Sequence, residues 1–142
     1  MRAWVFLLYN LPPEPSAPRV QVWRKLKRLG ALLLHDAVWV LPATPATIEQ
    51  LQWLAQEIRD MDGNATVWEA QASLLGQDDA LMQRFAAQAD AAYREIQVAL
   101  EGPNADLAAL SRRYRHVQVY DYFPSGLGQQ VRHALEHARG GT

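Results

Sequence analysis

The chain has 142 residues, of which 49% are hydrophobic and 20% charged, and these proportions are typical of a globular domain with its own core. It contains no cysteine, which excludes disulfides, zinc–thiolate sites and a cysteine nucleophile. The net charge is -1, and the apolar run at the N-terminus meets prolines too early to be a membrane span or a signal peptide. We therefore expect a cytoplasmic protein without a membrane segment.

The first predicted elements are a strand and a helix. The run AWVFLLY at residues 3–9 is apolar throughout, which is typical of a buried strand. After a proline-rich segment, Ser16 can cap a helix that starts at Ala17 and stops at Gly30. Its helical spacing predicts a core side made of Val22, Trp23, Leu26 and Leu29.

The next elements complete a small sheet. Two short strands, 31–34 and 37–41, are joined by a predicted hairpin turn at His35–Asp36. Thr44 and Pro45 begin a second helix, which ends before the turn Asp62–Gly63–Asn64, and a fourth strand follows at residues 65–70.

The resulting order, βαββαβ over residues 2–70, predicts an α+β, ferredoxin-like fold with two helices on one face of an antiparallel sheet. Residues 71–142 predict a helical extension, with a long helix near 78–101, a shorter one near 107–114 and a last one that ends at Gly140–Gly141. We expect one domain over 1–142, made of the ferredoxin-like half 1–70 and the extension 71–142.

The first predicted helix has an unusual charge pattern. No acidic residue occurs between Glu14 and Asp36, whereas surface helices usually intersperse glutamate for i,i+4 pairs. A basic face of this kind can bind the phosphates of a nucleic acid, and it can also be the solvated outer face of an amphipathic helix. The basic residues lie within ten positions and are Arg19, Arg24, Lys25, Lys27 and Arg28.

An ordered set of segments carries a family resemblance. WVFLLY, PPEPS, RVQVWRKLKRLGA and DAVWVLP resemble, in this order, the N-terminal domain of the ChrB family of bacterial chromate-resistance regulators. The segment DYFP at 121–124 is similar to a DFFP segment near the end of that domain. The resemblance implies a role in transcriptional control of chromate-efflux operons, and it implies that full-length members carry a second, C-terminal domain that responds to chromate.

The resemblance and the charge pattern together predict a DNA-associated regulatory module without catalytic activity, cofactor or metal. Its DNA-binding residues would be the five basic residues of the first helix. We expect a homodimer that presents two basic helices to one duplex, and a domain of the ChrB C-terminal type is a further expected partner.

Other interpretations remain open at this point. A small module that binds chromate or sulfate would need Arg19 or Arg28 to converge with a helix N-terminus in a pocket. The sequence HALEH at 133–137 matches the inverted zincin pattern, with His116 or Asp121 as a third ligand, although a polar helix end explains it more simply. Asn10 stands where similar CRISPR adaptation nucleases place a metal-binding aspartate, which disfavours metal-dependent cleavage of DNA.

The remaining aromatic side chains are predicted to be core or domain-docking residues rather than platforms on which bases stack. They are Trp39, Trp53, Trp68, Tyr120, Tyr122 and Phe123.

Overall fold

The computed structural model describes residues 2–140 and confirms the predicted α+β fold and its element order. The elements are β1 Ala3–Asn10, α1 Ala17–Arg28, β2 Leu32–His35, β3 Val38–Pro42, α2 Pro45–Asp60, β4 Asn64–Gln71, α3 Gln77–Leu100, α4 Leu107–Val119 and α5 Leu127–Gly140.

The strands form a four-stranded sheet in the order β2-β3-β1-β4, and every neighbouring pair is antiparallel. This is the strand order expected of a ferredoxin-like arrangement, with β1 and β3 in the centre. The register places Val5 opposite Leu41 and Leu7 opposite Trp39, and all four side chains are buried. The helices α1 and α2 add a second layer of buried apolar residues, namely Val22, Leu26, Leu51, Leu54 and Ile58.

The helix α1 begins and ends where the sequence predicts. At its C-terminus, Gly30 has a φ of 78° and donates its N–H to Lys27 O at 3.1 Å, while Ala31 donates to Leu26 O at 3.0 Å. This pair of bonds is a Schellman motif, which favours glycine because its central residue is left-handed. Ser16 occupies the N-cap position, but its side chain makes no capping hydrogen bond.

Three tryptophan predictions are wrong. Trp23, Trp53 and Trp68 are 51%, 66% and 58% exposed, whereas Trp39 is buried as predicted. Trp53 lies off the buried stripe of α2, about 160° around the helix from Leu51. Trp68 lies on the edge strand β4, where its indole N–H donates to Thr66 Oγ1 at 2.9 Å.

The β2–β3 hairpin turn lies one residue later than the prediction, at Asp36–Ala37, because His35 still belongs to β2. Leu33 pairs with Trp39 and His35 pairs with Val38, so Leu34 is an extra residue in the ladder. Such a bulge adds one residue to one strand only, which a pattern of apolar residues does not reveal.

The chain forms two compact units, one ending at Asp78 and the other starting at Asp79. In the second unit, α3, α4 and α5 enclose a core of Ala89, Tyr93, Ile96, Leu110, Val117, Val131 and Leu135. Gly141, where the last helix was predicted to end, lies outside the described residues. No helix within residues 2–140 combines the length and the apolar character that a membrane span requires.

The two helix N-caps of the first unit allow a matched stability test. Thr44 Oγ1 accepts the Thr47 N–H at 3.1 Å, and Thr47 Oγ1 accepts the Thr44 N–H at 2.9 Å, forming a reciprocal capping box. We expect Thr44→Ala to lower the free energy of unfolding by about 1 kcal/mol. Ser16→Ala should have a much smaller effect because the Ser16 side chain caps nothing. Urea denaturation measures both changes, and equal losses would contradict this account of the caps.

Candidate functional site

The outer side of α1 brings three of the five predicted DNA-binding residues together. Arg24, Lys27 and Arg28 are exposed and lie within an arc of about 100° around the helix axis. Val22 and Leu26, which are completely buried, occupy the opposite side. We call Arg24, Lys27 and Arg28 the basic face; its side chains are long enough to reach successive phosphates of one nucleic-acid backbone.

Arg19 and Lys25 have different surroundings from the basic face. Arg19 is exposed in the first turn of α1, about 13 Å along the axis from Arg28. Lys25 Nζ forms a salt bridge with Glu57 Oε2 of α2, and the two side chains are 37% and 41% exposed. The structure therefore supplies an acid to a helix that has none of its own, and this acid neutralises one of the five predicted cations.

Two exposed tryptophans flank the basic face. Trp53 lines a groove of about 270 Å³ between α1 and α2, together with Arg28 and the Lys25–Glu57 pair. Trp23 lies on the other flank, about 160° around α1 from Lys25. Arginine and indole side chains side by side are common where proteins contact nucleic-acid backbones and bases. The position of Trp53 off the apolar stripe of α2 is the sequence signal that could have identified it.

The α1–α2 groove does not have the geometry that the oxyanion interpretation requires. Arg28 lines this groove but Arg19 does not, so the two arginines do not converge there. The groove also contains the carboxylate of Glu57, which would repel an anion. The basic side chains of α1 therefore suit an extended polyanion better than a single small one.

The residues considered for metal chemistry have other environments. His133 and His137 are exposed on α5, and Asp121 accepts a hydrogen bond from the Tyr93 hydroxyl at 2.9 Å. Burial raises the pKa of the Asp121 carboxyl, and the bond from Tyr93 opposes this rise. Within residues 2–140, no three histidine, aspartate or glutamate side chains are grouped so that they could hold a metal ion. Asn10 ends β1, and its Oδ1 lies 3.5 Å from the side-chain amide of Asn64.

Comparisons with known proteins agree with the sequence and the fold. The family model described as "Protein ChrB, N-terminal" matches residues 19–108, a range that includes all five predicted DNA-binding residues. Protein ChrB of Cupriavidus metallidurans is 30% identical over 137 residues. The match covers 87% of this chain but 41% of that relative, so the chain spans about two fifths of the relative's length.

Proposed function

Because the chain belongs to the ChrB family and corresponds to its N-terminal region, we propose that it is a DNA-associated regulatory module of chromate-resistance type. The observation that carries the proposal is the basic face of α1, which lies within the matched range. Arg24, Lys27 and Arg28 would pair with backbone phosphates and release the counterions condensed on the duplex. The protein would act without catalysis.

Phosphate contacts fix the position of a protein on DNA but carry no sequence information. Three contacts on one copy also give weak binding. We therefore propose that two copies present their basic faces to one duplex, and that base selection comes from other parts of the assembly. A domain equivalent to the remaining length of the C. metallidurans relative is a natural partner for this module.

The salt dependence of DNA binding tests the proposal. Fluorescence anisotropy with a labelled duplex between about 50 and 200 mM salt should give a log–log slope of about -3 for one basic face and about -5 for two. The duplex would come from the region upstream of the protein's own gene, with a scrambled duplex beside it. The absence of binding at the lowest salt, or an affinity that does not change with salt, would contradict the proposal.

Glu57 provides a prediction in the opposite direction. Glu57→Gln removes the carboxylate that pairs with Lys25 and makes a fourth cation available beside the basic face. We expect duplex affinity to rise by about threefold to tenfold and the salt slope to steepen by about one. The pair is partly exposed, so stability should change by less than about 1 kcal/mol.

Glu49→Gln is the matched control for Glu57→Gln, because Glu49 is an exposed acid on the same helix that bonds the Trp53 indole and no basic residue. An equal gain in affinity from both variants would show that the total charge matters and not the release of Lys25.

A further inference from the structure

A second groove, in the other compact unit, lies between α4 and α5 and has a volume of about 270 Å³. Each helix contributes residues at the spacing i, i+3, i+4, i+7, which places them on one stripe of that helix. The wall is formed by Ser111, Tyr114, Arg115 and Gln118 of α4 and by Arg132, Leu135, Glu136 and Arg139 of α5.

The groove has an excess of positive charge. Its three arginines and one glutamate leave two uncompensated positive charges. Arg132 Nε donates to Glu136 Oε1 at 3.1 Å, so this arginine and this glutamate largely neutralise each other. Arg115 and Arg139 form no ion pair with any residue in the described range 2–140. Two guanidinium groups are therefore available to a ligand.

Ser111 gives an independent indication of a ligand. Its side chain lines the groove although the residue is only 9% exposed. No residue between 2 and 140 offers a hydrogen-bond partner to its hydroxyl. Buried hydroxyl groups are almost always hydrogen-bonded, because leaving one unpaired costs about 1–3 kcal/mol. A bound ligand that accepts hydrogen bonds would satisfy this group.

We infer that the α4–α5 groove binds a small tetrahedral oxyanion with two negative charges, the class that includes sulfate, phosphate and chromate. The two available guanidinium groups of Arg115 and Arg139 match the charge of such an anion, and each can donate a pair of parallel N–H bonds. Ser111 and Tyr114 add neutral donors. At about 30 Å³ per water molecule, the groove has room for the anion and several waters.

The shape of the groove favours a small anion over DNA. The donors line a concavity between two helices, whereas those of the basic face of α1 are spread along the outside of one helix. A phosphodiester in a DNA backbone also carries a single charge. This inference does not depend on the proposed function, because it rests on residues of the other compact unit.

Isothermal titration calorimetry of the whole chain with sodium sulfate, sodium phosphate and sodium chromate tests the site. We expect saturable one-to-one binding of at least one of these dianions with a Kd of about 1 mM or tighter. Sodium chloride at equal ionic strength should give no saturable heat. Arg115→Gln and Arg139→Gln should each weaken binding about tenfold, and Ser111→Ala about threefold.

Arg112→Gln is the matched control, since Arg112 is exposed on the same helix and does not line the groove. Its affinity should equal that of the wild type, and circular dichroism should show that all variants keep their fold. Failure of all three anions to saturate at about tenfold above the expected Kd would overturn the inference. Equal weakening by Arg112→Gln and Arg115→Gln would also overturn it. So would loss of duplex binding in Arg115→Gln without any small-anion binding, because the groove would then contact DNA.

Discussion

Replacing Arg24 and Lys27 together by glutamine is expected to weaken binding to duplex DNA by about a hundredfold at low salt, about tenfold for each lost charge-assisted contact. Both side chains are exposed on the outer side of α1, opposite the buried Val22 and Leu26. The substitution therefore leaves the core intact, and the melting temperature should stay close to that of the wild type. The log–log salt slope should fall by about one for each residue replaced, or about two in all.

A matched control separates the basic face from the total charge. Arg94→Gln/Arg112→Gln removes two exposed arginines from α3 and α4 and changes the net charge by the same amount. We expect this variant to bind duplex DNA within about threefold of the wild type. Equal weakening by both double variants would mean that DNA responds to the charge of the whole chain. In that case the basic residues of α1 would be a solvated helix face.

Gly63→Ala is expected to lower the free energy of unfolding by about 3 kcal/mol, the upper part of the range for overpacking a core. A Cβ at this position would lie 2.6 Å from the Asn10 carbonyl oxygen and 2.7 Å from side-chain atoms of Ile58 and Leu11. The Asn10 carbonyl belongs to the backbone of β1 and cannot move without disturbing the central strand. Chemical denaturation measures the loss.

Asp62→Gly is the matched control for this turn. The helix α2 ends in a Schellman motif in which Gly63 N–H bonds Ile58 O at 2.9 Å and Asp62 N–H bonds Arg59 O at 3.1 Å. Asp62, with a φ of 66°, holds the left-handed position that glycine usually takes. Glycine at 62 should change stability by less than about 1 kcal/mol, because relief of strain offsets the added freedom of the unfolded chain. Equal losses at 62 and 63 would show that backbone conformation decides both positions.

Much of the fold could be predicted because its signals are local. The apolar run that forms β1, the glycine that ends α1 and the proline at the start of α2 each act within a few residues. The turn at residues 62–64 was also predicted correctly. Its internal arrangement was not, because the sequence suggests a left-handed Gly63 whereas the left-handed residue is Asp62. The need for glycine at 63 comes from the approach of β1, which is distant in sequence.

The candidate site was harder to predict because its chemistry combines separate helices. The sequence identified the cations of α1, but it could not show that Glu57 of α2 pairs with Lys25, since the two residues are 32 positions apart. Trp23 and Trp53 were assigned to the core from their apolar character alone. The arginines of α4 and α5 are ordinary surface residues in sequence, and only the structure shows that three of them share a groove with a buried serine.

The distribution of the tryptophans gives the chain an intrinsic optical reporter. Trp4 and Trp39 are 1% and 6% exposed, so their emission should be blue-shifted and insensitive to acrylamide, while Trp23 and Trp53 emit from water on either side of the basic face. A polyanion bound there would cover these two indoles and leave the buried pair unchanged. Unlabelled protein should therefore signal occupancy of the basic face through the quenchable fraction of its fluorescence, and Trp68, also exposed but on β4, supplies a constant background.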